Sequence, residues 1–223
     1  MSLAAVAAEI GLSKGRITQI RQSAPPPERG LFGVGPIRVA VPTRAMPGRG
    51  LPVISAEDSI AAERMTTLLM DLGFVGVELY RIPIGGLWTP VGDVVAICGP
   101  KSSQVTAEAI STDPYLDFSS KGGRWAIQDR HSGKVFLSGM DDDPGRPQDV
   151  AYVGRLRYGP GSVFLIAGIH AIGSVGAVHF LAGHAADLYT DVGDGLWSGV
   201  ISSSHDGEAI TGSEWACPPR RHG

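Results

Sequence analysis

The sequence predicts an α/β domain with a mostly parallel sheet and helices on both faces, a Rossmann-like arrangement. Short apolar runs of strand length alternate with longer amphipathic runs from residue 37 onward, and such alternation is typical of a parallel sheet covered by helices. Hydrophobic residues make up 43% of the 223-residue chain, which is enough to bury a full core. Two buried strands also run directly into glycine turns that begin helices, as strand–helix units do.

The first half of this domain begins with a short apolar strand at residues 37–41. Ser55 then begins a helix, because Asp58 follows three residues later as in a capping box. Gly73 is placed to end that helix. The same reasoning gives strands at 74–82 and 93–98 and a helix at 103–111.

The second half of the domain is less regular. Short strands between Leu116 and Tyr158 predict an antiparallel insertion, in which the DDDPGRP segment at 141–147 is interpreted as a solvated acidic turn. A buried strand, a helix and a last strand come next, at 163–167, 174–189 and 196–202. We place the domain at residues 37–215, with a tail at 216–223.

Residues 3–22 carry the pattern of a helix-turn-helix. Ala7 supplies the small residue where two helices cross, and Gly11 supplies the turn. Ser13 is a natural N-cap for the second helix. The residues predicted to face a shared interior are Val6, Ile10, Leu12, Ile17 and Ile20. The residues left outside it, available to phosphates and base edges, are Ser13, Lys14, Arg16, Thr18, Gln19 and Arg21.

This motif, and the stretch LSKGRITQI in particular, resembles the helix-turn-helix of the fourth conserved region of bacterial sigma factors. The resemblance covers only residues 3–22 and implies that the second helix reads DNA. The sequence lacks the family's preceding supporting helices and its polymerase-binding region. Because so short a segment cannot form its own core, we expect it to pack on the rest of the chain, to dimerise, or to be the end of a longer protein. The whole chain also resembles uncharacterised actinobacterial proteins with a sigma-like helix-turn-helix before an α/β domain, a likeness that implies no known chemistry.

The charge distribution predicts that a polyanion would bind this same N-terminal region. Residues 1–50 carry a net charge of +5 and the remainder carries −8. The alternative is that this basic stretch is only a solvated face. The next segment, at 24–36, is proline-rich, and we interpret it as a stiff linker between two modules.

Two turns, each between a buried strand and a helix, are the candidate ligand site. Helix N-termini favour anions, and a lysine and several hydroxyls stand beside them. The candidate residues are Gly99, Lys101, Ser102, Ser103 and Thr106 in the first turn, and Gly168, His170, Gly173, Ser174 and Gly176 in the second. The expected ligand is a small anion, of the class of nucleotides or other phosphorylated metabolites. The alternative is that these glycines only let helices approach strands closely.

Other chemistry is less well supported by the sequence. The second turn has the outer spacing of a P-loop but Ser174 and Val175 where that loop needs Lys and Ser/Thr, so an NTPase is excluded. We expect no cofactor and no metal, since the histidines do not have ligand spacing. Cys98 and His170 are the residues to test if the protein is an enzyme.

The expected cellular setting is the cytoplasm, because two cysteines are too few for a disulfide framework. The charge-free run at 163–186 is long enough to span a bilayer, but its glycines and histidines favour a buried strand, a turn and a buried helix. No membrane association is therefore predicted. Residues 1–10 lack the basic start of a secretory leader.

Taken together, these features predict a one-component transcriptional regulator whose α/β domain senses a small anionic ligand. DNA and that ligand are its expected partners, and a homodimer is expected because paired half-sites compensate for few contacts per subunit. Two alternatives remain open. One is a small-molecule hydrolase or transferase with a vestigial helix-turn-helix, and the other is a protein-binding scaffold module.

Overall fold

The computed structural model describes residues 2–223, with all side chains except those of Leu3, residues 21–23 and Lys121. The α-helices α1 to α5 lie at Leu3–Glu9, Lys14–Ser23, Ala56–Asp71, Gln104–Ser111 and Ala171–Val192. The strands β1 to β10 lie at Ile37–Pro42, Glu78–Ile82, Asp93–Ile97, Leu116–Lys121, Arg124–Asp129, Val135–Phe136, Gln148–Tyr158, Gly161–Gly168, Trp197–Asp206 and Ala209–Arg221. Short 3-10 helices lie at Pro27–Leu31 and Gly139–Asp141.

The main sheet has seven strands in the order β10-β9-β7-β8-β3-β1-β2. The strands from β8 to β2 run parallel, whereas β7, β9 and β10 each pair antiparallel with their neighbours. The α/β class is therefore confirmed, and the sheet is mixed, with its first strands parallel and its last strands antiparallel. The antiparallel half arises because β7 and β8, and then β9 and β10, are joined by tight turns that return the chain directly beside itself.

Both faces of the sheet are covered. One core lies under α3 and α5, and it takes Val39 and Val41 from β1. The other core takes Ala40 from β1 and lies under α4 and a small antiparallel sheet of order β4-β5-β6. Alternate residues of a strand point to opposite faces, so one strand contributes side chains to both cores. The antiparallel insertion predicted at 116–158 is confirmed only for residues 116–136, which form this small sheet, whereas residues 148–158 form β7 of the main sheet.

The predicted linker and tail are both built into the domain. Leu31 and Phe32 are 0% and 3% exposed and belong to the core under α3 and α5. The Arg155 guanidinium holds the segment further by donating to the carbonyl of Gly30 at 2.9 Å. At the other end of the chain β10 continues through residues 216–221 as an edge strand. An edge position tolerates Pro218 and Pro219, since they need not donate to a further strand.

The N-terminal helix pair, residues 2–23, consists of α1 and α2 and a turn in which Gly11 has a φ of +66°. Ser13 caps α2, as predicted, by accepting a hydrogen bond from the Arg16 N–H. The predicted interior is only partly formed. Its buried residues are Ala7 and Ile17, and Val6 is half-buried, whereas Ile10, Leu12 and Ile20 are 55%, 39% and 43% exposed. In the part of the chain that the structure describes, α1 and α2 pack mainly on each other, and part of their apolar surface stays exposed.

One finding bears on membranes. Within residues 2–223, no helix is both long enough and apolar enough to cross a bilayer. The charge-free run at 163–186 is instead divided between β8 and α5, with its strand in the middle of the main sheet.

Candidate functional site

A cleft of about 490 Å³ lies at the carboxyl ends of β1, β3 and β8. The turn after β3 contributes residues 98–102, and the turn after β8 contributes residues 168–171 with Ser174. Parallel strands end at the same edge of a sheet, so turns that are far apart in sequence meet there. The two turns predicted from the sequence therefore line one and the same cleft.

Six of the ten predicted ligand residues line this cleft. They are Gly99, Lys101, Ser102, Gly168, His170 and Ser174. Ser103 and Thr106 lie beneath it, each at most 1% exposed. The Ser103 hydroxyl caps α4 by accepting from the Thr106 N–H at 3.2 Å, and it also lies 3.0 Å from the Trp88 indole nitrogen. Their polar groups are thus engaged within the protein.

Gly173 and Gly176 also lie away from the cleft lining, and both allow α5 to approach other elements closely. A Cβ at Gly173 would lie 2.5 Å from Asp149 Oδ2, and a Cβ at Gly176 would lie 2.1 Å from Ser203 Oγ. No real Cβ packs so closely. These two positions therefore require glycine for packing of α5 against β7 and β9.

The N-terminus of α5 is occupied by a carboxylate of the protein itself. Asp149 Oδ2 accepts hydrogen bonds from the N–H groups of His170 at 2.9 Å and Gly173 at 3.0 Å. Burial raises the pKa of Asp149. The Gly168 N–H likewise donates to Ser174 Oγ at 3.0 Å. Since Asp149 already accepts hydrogen bonds from the N–H groups at the helix start, an external anion depends on cationic side chains instead.

Among the side chains that the structure describes, three cations line the cleft, and two of them were not predicted from the sequence. Arg44 follows β1, Lys101 lies in the turn after β3, and Arg124 begins β5. Arg44 Nη2 lies 3.2 Å from Asp58 Oδ2, and Arg124 Nη2 lies 3.5 Å from Asp142 Oδ1. Lys101 makes no ion pair with any carboxylate in the described part of the chain. No local motif marks Arg44 or Arg124, because their place depends on how distant segments meet.

His170 contacts an acidic side chain inside the cleft. Its Nε2 lies 2.9 Å from Asp141 Oδ1, and both side chains are partly exposed. Asp141 ends the second 3-10 helix and lines the cleft. The acidic turn predicted at 141–147 is thus not wholly solvated, and it supplies a partner for the predicted histidine. No sequence signal linked the two residues, which lie 29 positions apart.

One wall of the cleft comes from the β4–β5 hairpin. Phe118, Gly123 and Trp125 line it together with Arg124. The rings of Phe118 and Trp125 meet edge to face, with centroids 5.7 Å apart and an interplanar angle of 90°. In the sequence this hairpin was only part of a less regular region, and nothing local indicated that it faces the two turns.

Comparison with models of protein families and with curated proteins gave no match. The chemistry of the site is therefore interpreted from its own residues. Its charged lining consists of the Arg44, Lys101 and Arg124 cations and the carboxylates of Asp58 and Asp141, with His170 beside Asp141. Burial raises the pKa of Asp58, against the lowering effect of the Ser55 hydroxyl and of Arg44.

Cys98 does not have the surroundings of a nucleophile. The side chain is 3% exposed, and its sulfur lies 3.2 Å from Thr106 Oγ1. Burial raises the pKa of the Cys98 thiol to about 11. A reactive cysteine needs a lowered pKa and an open approach, so this residue acts as a core side chain that borders the cleft.

The predicted DNA contacts lie along α2. Ser13, Lys14, Arg16, Thr18 and Gln19 are all exposed. Four of them use side-chain polar atoms locally, since Ser13 caps the helix, Arg16 donates to Gln19 Oε1 at 2.9 Å, and the Thr18 hydroxyl donates to the Lys14 carbonyl at 3.0 Å. The side chain of Arg21 lies outside the described residues. The helix thus presents two cations, Lys14 and Arg16, in the described part of its surface.

Proposed function

We propose that this chain is a cytoplasmic, DNA-binding transcriptional regulator. Its N-terminal helix pair serves as a sigma-like helix-turn-helix, and its α/β domain senses a small anionic ligand. The observation that carries the proposal is the meeting of Arg44, Lys101 and Arg124 at a cleft formed by the two glycine turns. Such a cleft concentrates a ligand of opposite charge.

The charge balance of the cleft supports an anionic ligand. Asp58 is already bound by Arg44 and by the Ser55 hydroxyl, and Asp141 is bound by His170. Lys101, which has no such partner in the described residues, is left to attract a ligand. We further propose that the parallel half of the sheet works in a Rossmann-like way, holding the ligand outside the carboxyl ends of its strands.

The surface of α2 supports the DNA-binding role. Lys14 and Arg16 are exposed on it, and residues 1–50 carry the positive half of the charge asymmetry. Exposed apolar side chains on the same helix pair, Ile10 and Leu12 among them, fit a homodimer in which a second copy covers them. Two copies would present two reading helices to paired half-sites.

Helix α5 supplies a physical connection between the two functions. Its first turn lines the cleft with Ala171 and Ser174. Near its other end Tyr189 packs on Gly30, so closely that a Cβ there would lie 2.9 Å from the Tyr189 ring. Gly30 belongs to the 3-10 helix that comes directly after α2. A ligand that moves α5 therefore acts on the segment that carries the helix pair.

Ligand binding is tested by thermal shift of the full chain with inorganic phosphate and with nucleoside monophosphates. A bound ligand raises the melting temperature by mass action. We expect a shift that disappears in Lys101→Ala and persists in Lys14→Ala, the matched lysine substitution on α2. A shift of equal size in both variants would contradict the assignment of Lys101, and no shift with any of these anions would contradict the proposal.

DNA binding is tested by the salt dependence of affinity for a pool of duplex DNA. Lys14→Ala combined with Arg16→Ala should weaken binding broadly and lower the slope of log affinity against log salt by about 2, one for each lost phosphate contact. Lys101→Ala should leave that slope unchanged. An unaltered slope in the double variant would exclude α2 as the DNA-reading helix.

A hydrolase or transferase acting on the same ligand is the second candidate, and the His170–Asp141 contact favours it. If Nε2–H donates to Asp141, the Nδ1 atom becomes the basic nitrogen, as in other carboxylate-oriented histidines. The test is turnover of nitrophenyl phosphate and nitrophenyl ester substrates by the purified chain. Turnover that is lost in His170→Ala and retained in His179→Ala supports an enzyme. Equal turnover in both variants excludes His170 as the base.

A further inference from the structure

We propose that the anion bound in the cleft carries a flat ring, that the ring stacks on Trp125, and that the ligand is therefore a nucleoside phosphate. This inference rests on the proposed ligand-sensing role of the cleft. The cleft then has two recognition elements, its cationic side chains and an aromatic surface.

The small sheet turns one aromatic face toward the cleft. Ser120 pairs with Trp125 and Phe118 pairs with Ile127 across the β4–β5 hairpin, so Phe118 and Trp125 are diagonal neighbours on the same face. Both line the cleft. Their edge-to-face contact fixes the plane of the Trp125 indole without stacking a ring on it. A half-buried indole is thereby held in place at the wall of a polar cleft.

The other three tryptophans are engaged elsewhere. Trp88 is stacked on Tyr80, with ring centroids 5.4 Å apart, and its indole N–H lies 3.0 Å from Ser103 Oγ. Trp197 is 0% exposed. Trp215 packs on Phe180 on the far side of the main sheet. Trp125 is the tryptophan that lines the cleft.

The chemistry around Trp125 matches a ligand with two unlike ends. Arg124 precedes it on the hairpin, and Lys101 lies in the turn after β3. Inorganic phosphate would pair with the cationic side chains and leave the Trp125 ring in contact with water. A nucleoside phosphate places its phosphate among the cations and its base on the indole, and every base has a face suited to stacking. The cleft volume of about 490 Å³ lies within the range of small-ligand sites.

The test is a titration of the full chain with inorganic phosphate, ribose 5-phosphate, and the monophosphates of adenosine, guanosine and uridine. Affinity is measured by calorimetry, and contact with the indole is measured by tryptophan fluorescence. We expect at least one nucleotide to bind about tenfold more tightly than ribose 5-phosphate, the advantage expected of one stacked base, and to quench fluorescence. Ribose 5-phosphate should bind without quenching.

Substitutions test whether the Trp125 ring is the source of the higher affinity for nucleotides. Trp125→Leu should bring nucleotide affinity close to that of ribose 5-phosphate and leave ribose 5-phosphate affinity unchanged. Trp125→Phe, which keeps a ring and guards against loss of folding, should retain part of the advantage. Trp215→Phe is the matched control, and it should retain both the advantage and the quenching.

Two of the three adverse outcomes separate this inference from the proposed function. Nucleotides that bind no more tightly than ribose 5-phosphate, while both depend on Lys101, overturn the stacking inference and leave the anion-sensing role standing. An advantage that survives in Trp125→Leu overturns the assignment of Trp125. No binding by any of the five compounds overturns the inference and the proposed function together.

Discussion

The N-terminal helix pair and the α/β domain begin their helices in the same way and differ in what the helices then bury. Ser13 caps α2 and Ser55 caps α3, each through a hydrogen bond from the backbone N–H three residues on. Helix α3 goes on to bury Met65 and Leu69 completely, whereas α2 buries Ile17 and leaves Ile20 43% exposed. A good cap begins a helix, but the burial of an apolar face determines how firmly the helix is held.

The side-chain hydrogen bonds described for the helix pair are local, whereas the α/β domain also has bonds between distant residues. The side-chain bonds described for the helix pair join residues three or four positions apart. In the α/β domain Arg220 bonds to Asp129 across 91 positions, and the Gly173 N–H donates to Asp149 across 24. Long-range contacts couple the parts of a domain into one cooperative unit. We therefore expect substitutions in the domain to affect global unfolding, and substitutions in the helix pair to act locally.

The largest effect is expected from Gly176→Val. Its side chain would collide with Ser203 where α5 packs on β9, and overpacking of this kind lowers the free energy of unfolding by about 3 kcal/mol. Gly183→Ala is the matched control on the same helix, since nothing lies within 4 Å of a Cβ there. It should raise the free energy of unfolding by about 0.5 kcal/mol. Urea denaturation measures both, and a mild effect of Gly176→Val would show that α5 moves easily relative to the sheet.

The next largest effect is expected from Arg220→Ala, which removes the partner of Asp129. That carboxylate is 2% exposed, and losing a charged hydrogen-bond partner should cost about 2 kcal/mol. Arg157→Ala, at an exposed arginine of β7, should cost at most about 0.5 kcal/mol. Equal losses in the two variants would mean that the Asp129 contact contributes nothing beyond a surface arginine.

The Arg220–Asp129 contact also predicts a pH dependence. The Arg220 guanidinium, with the N–H groups of His131 and Ser132, holds the pKa of Asp129 well below its ordinary value. Because the folded-state pKa is lowered, the stabilisation is present above about pH 4 and is lost as the pH falls below it. The native chain should therefore lose more stability than Arg220→Ala between about pH 5 and pH 3. Parallel pH profiles for the two proteins would contradict this assignment.

The sequence allowed prediction of features that are decided by neighbouring residues. The caps at Ser13 and Ser55 result from a hydroxyl and a backbone N–H three positions apart. The two ligand turns result from a strand, a glycine and a helix in succession, and the rule that parallel strands end together brought them to one edge. Rules about neighbouring residues were therefore enough to predict the two turns, which form half of the cleft.

The other half of the cleft could not be predicted, because it depends on how distant segments pack. Arg124 and Trp125 reach the cleft only when the hairpin folds over the end of the main sheet. Asp149 takes the N-terminus of α5 only because β7 pairs beside β8. The same limit explains the tail, since residues 216–221 become a strand only by pairing with β9.

A smaller effect is expected from Ser13→Ala. Loss of an N-cap costs about 1 kcal/mol, and in α2 this loss should appear as faster amide hydrogen exchange within residues 14–23. The global melting temperature should stay the same. Ser55→Ala removes the equivalent cap from α3, together with the bond of that hydroxyl to Asp58 Oδ2, and is the comparison in which loss of a cap should lower global stability. If Ser13→Ala lowers the global melting temperature as much as Ser55→Ala, the helix pair unfolds with the domain.

The smallest effect on the domain is expected from deleting residues 1–23. Helices α1 and α2 pack mainly on each other, and the 3-10 helix after them is held by its own contacts, Leu31 in the core and Arg155 on the Gly30 carbonyl. At protein concentrations low enough to keep the chain monomeric, removal should therefore shift the melting temperature by less than about 2 °C, which corresponds to under about 1 kcal/mol for a domain of this size. A fall of more than about 5 °C would mean that the exposed side chains of Ile10 and Leu12 are covered in solution. Covering by a second copy would make that fall depend on protein concentration, so a dilution series of the full chain distinguishes dimerisation from packing within one chain.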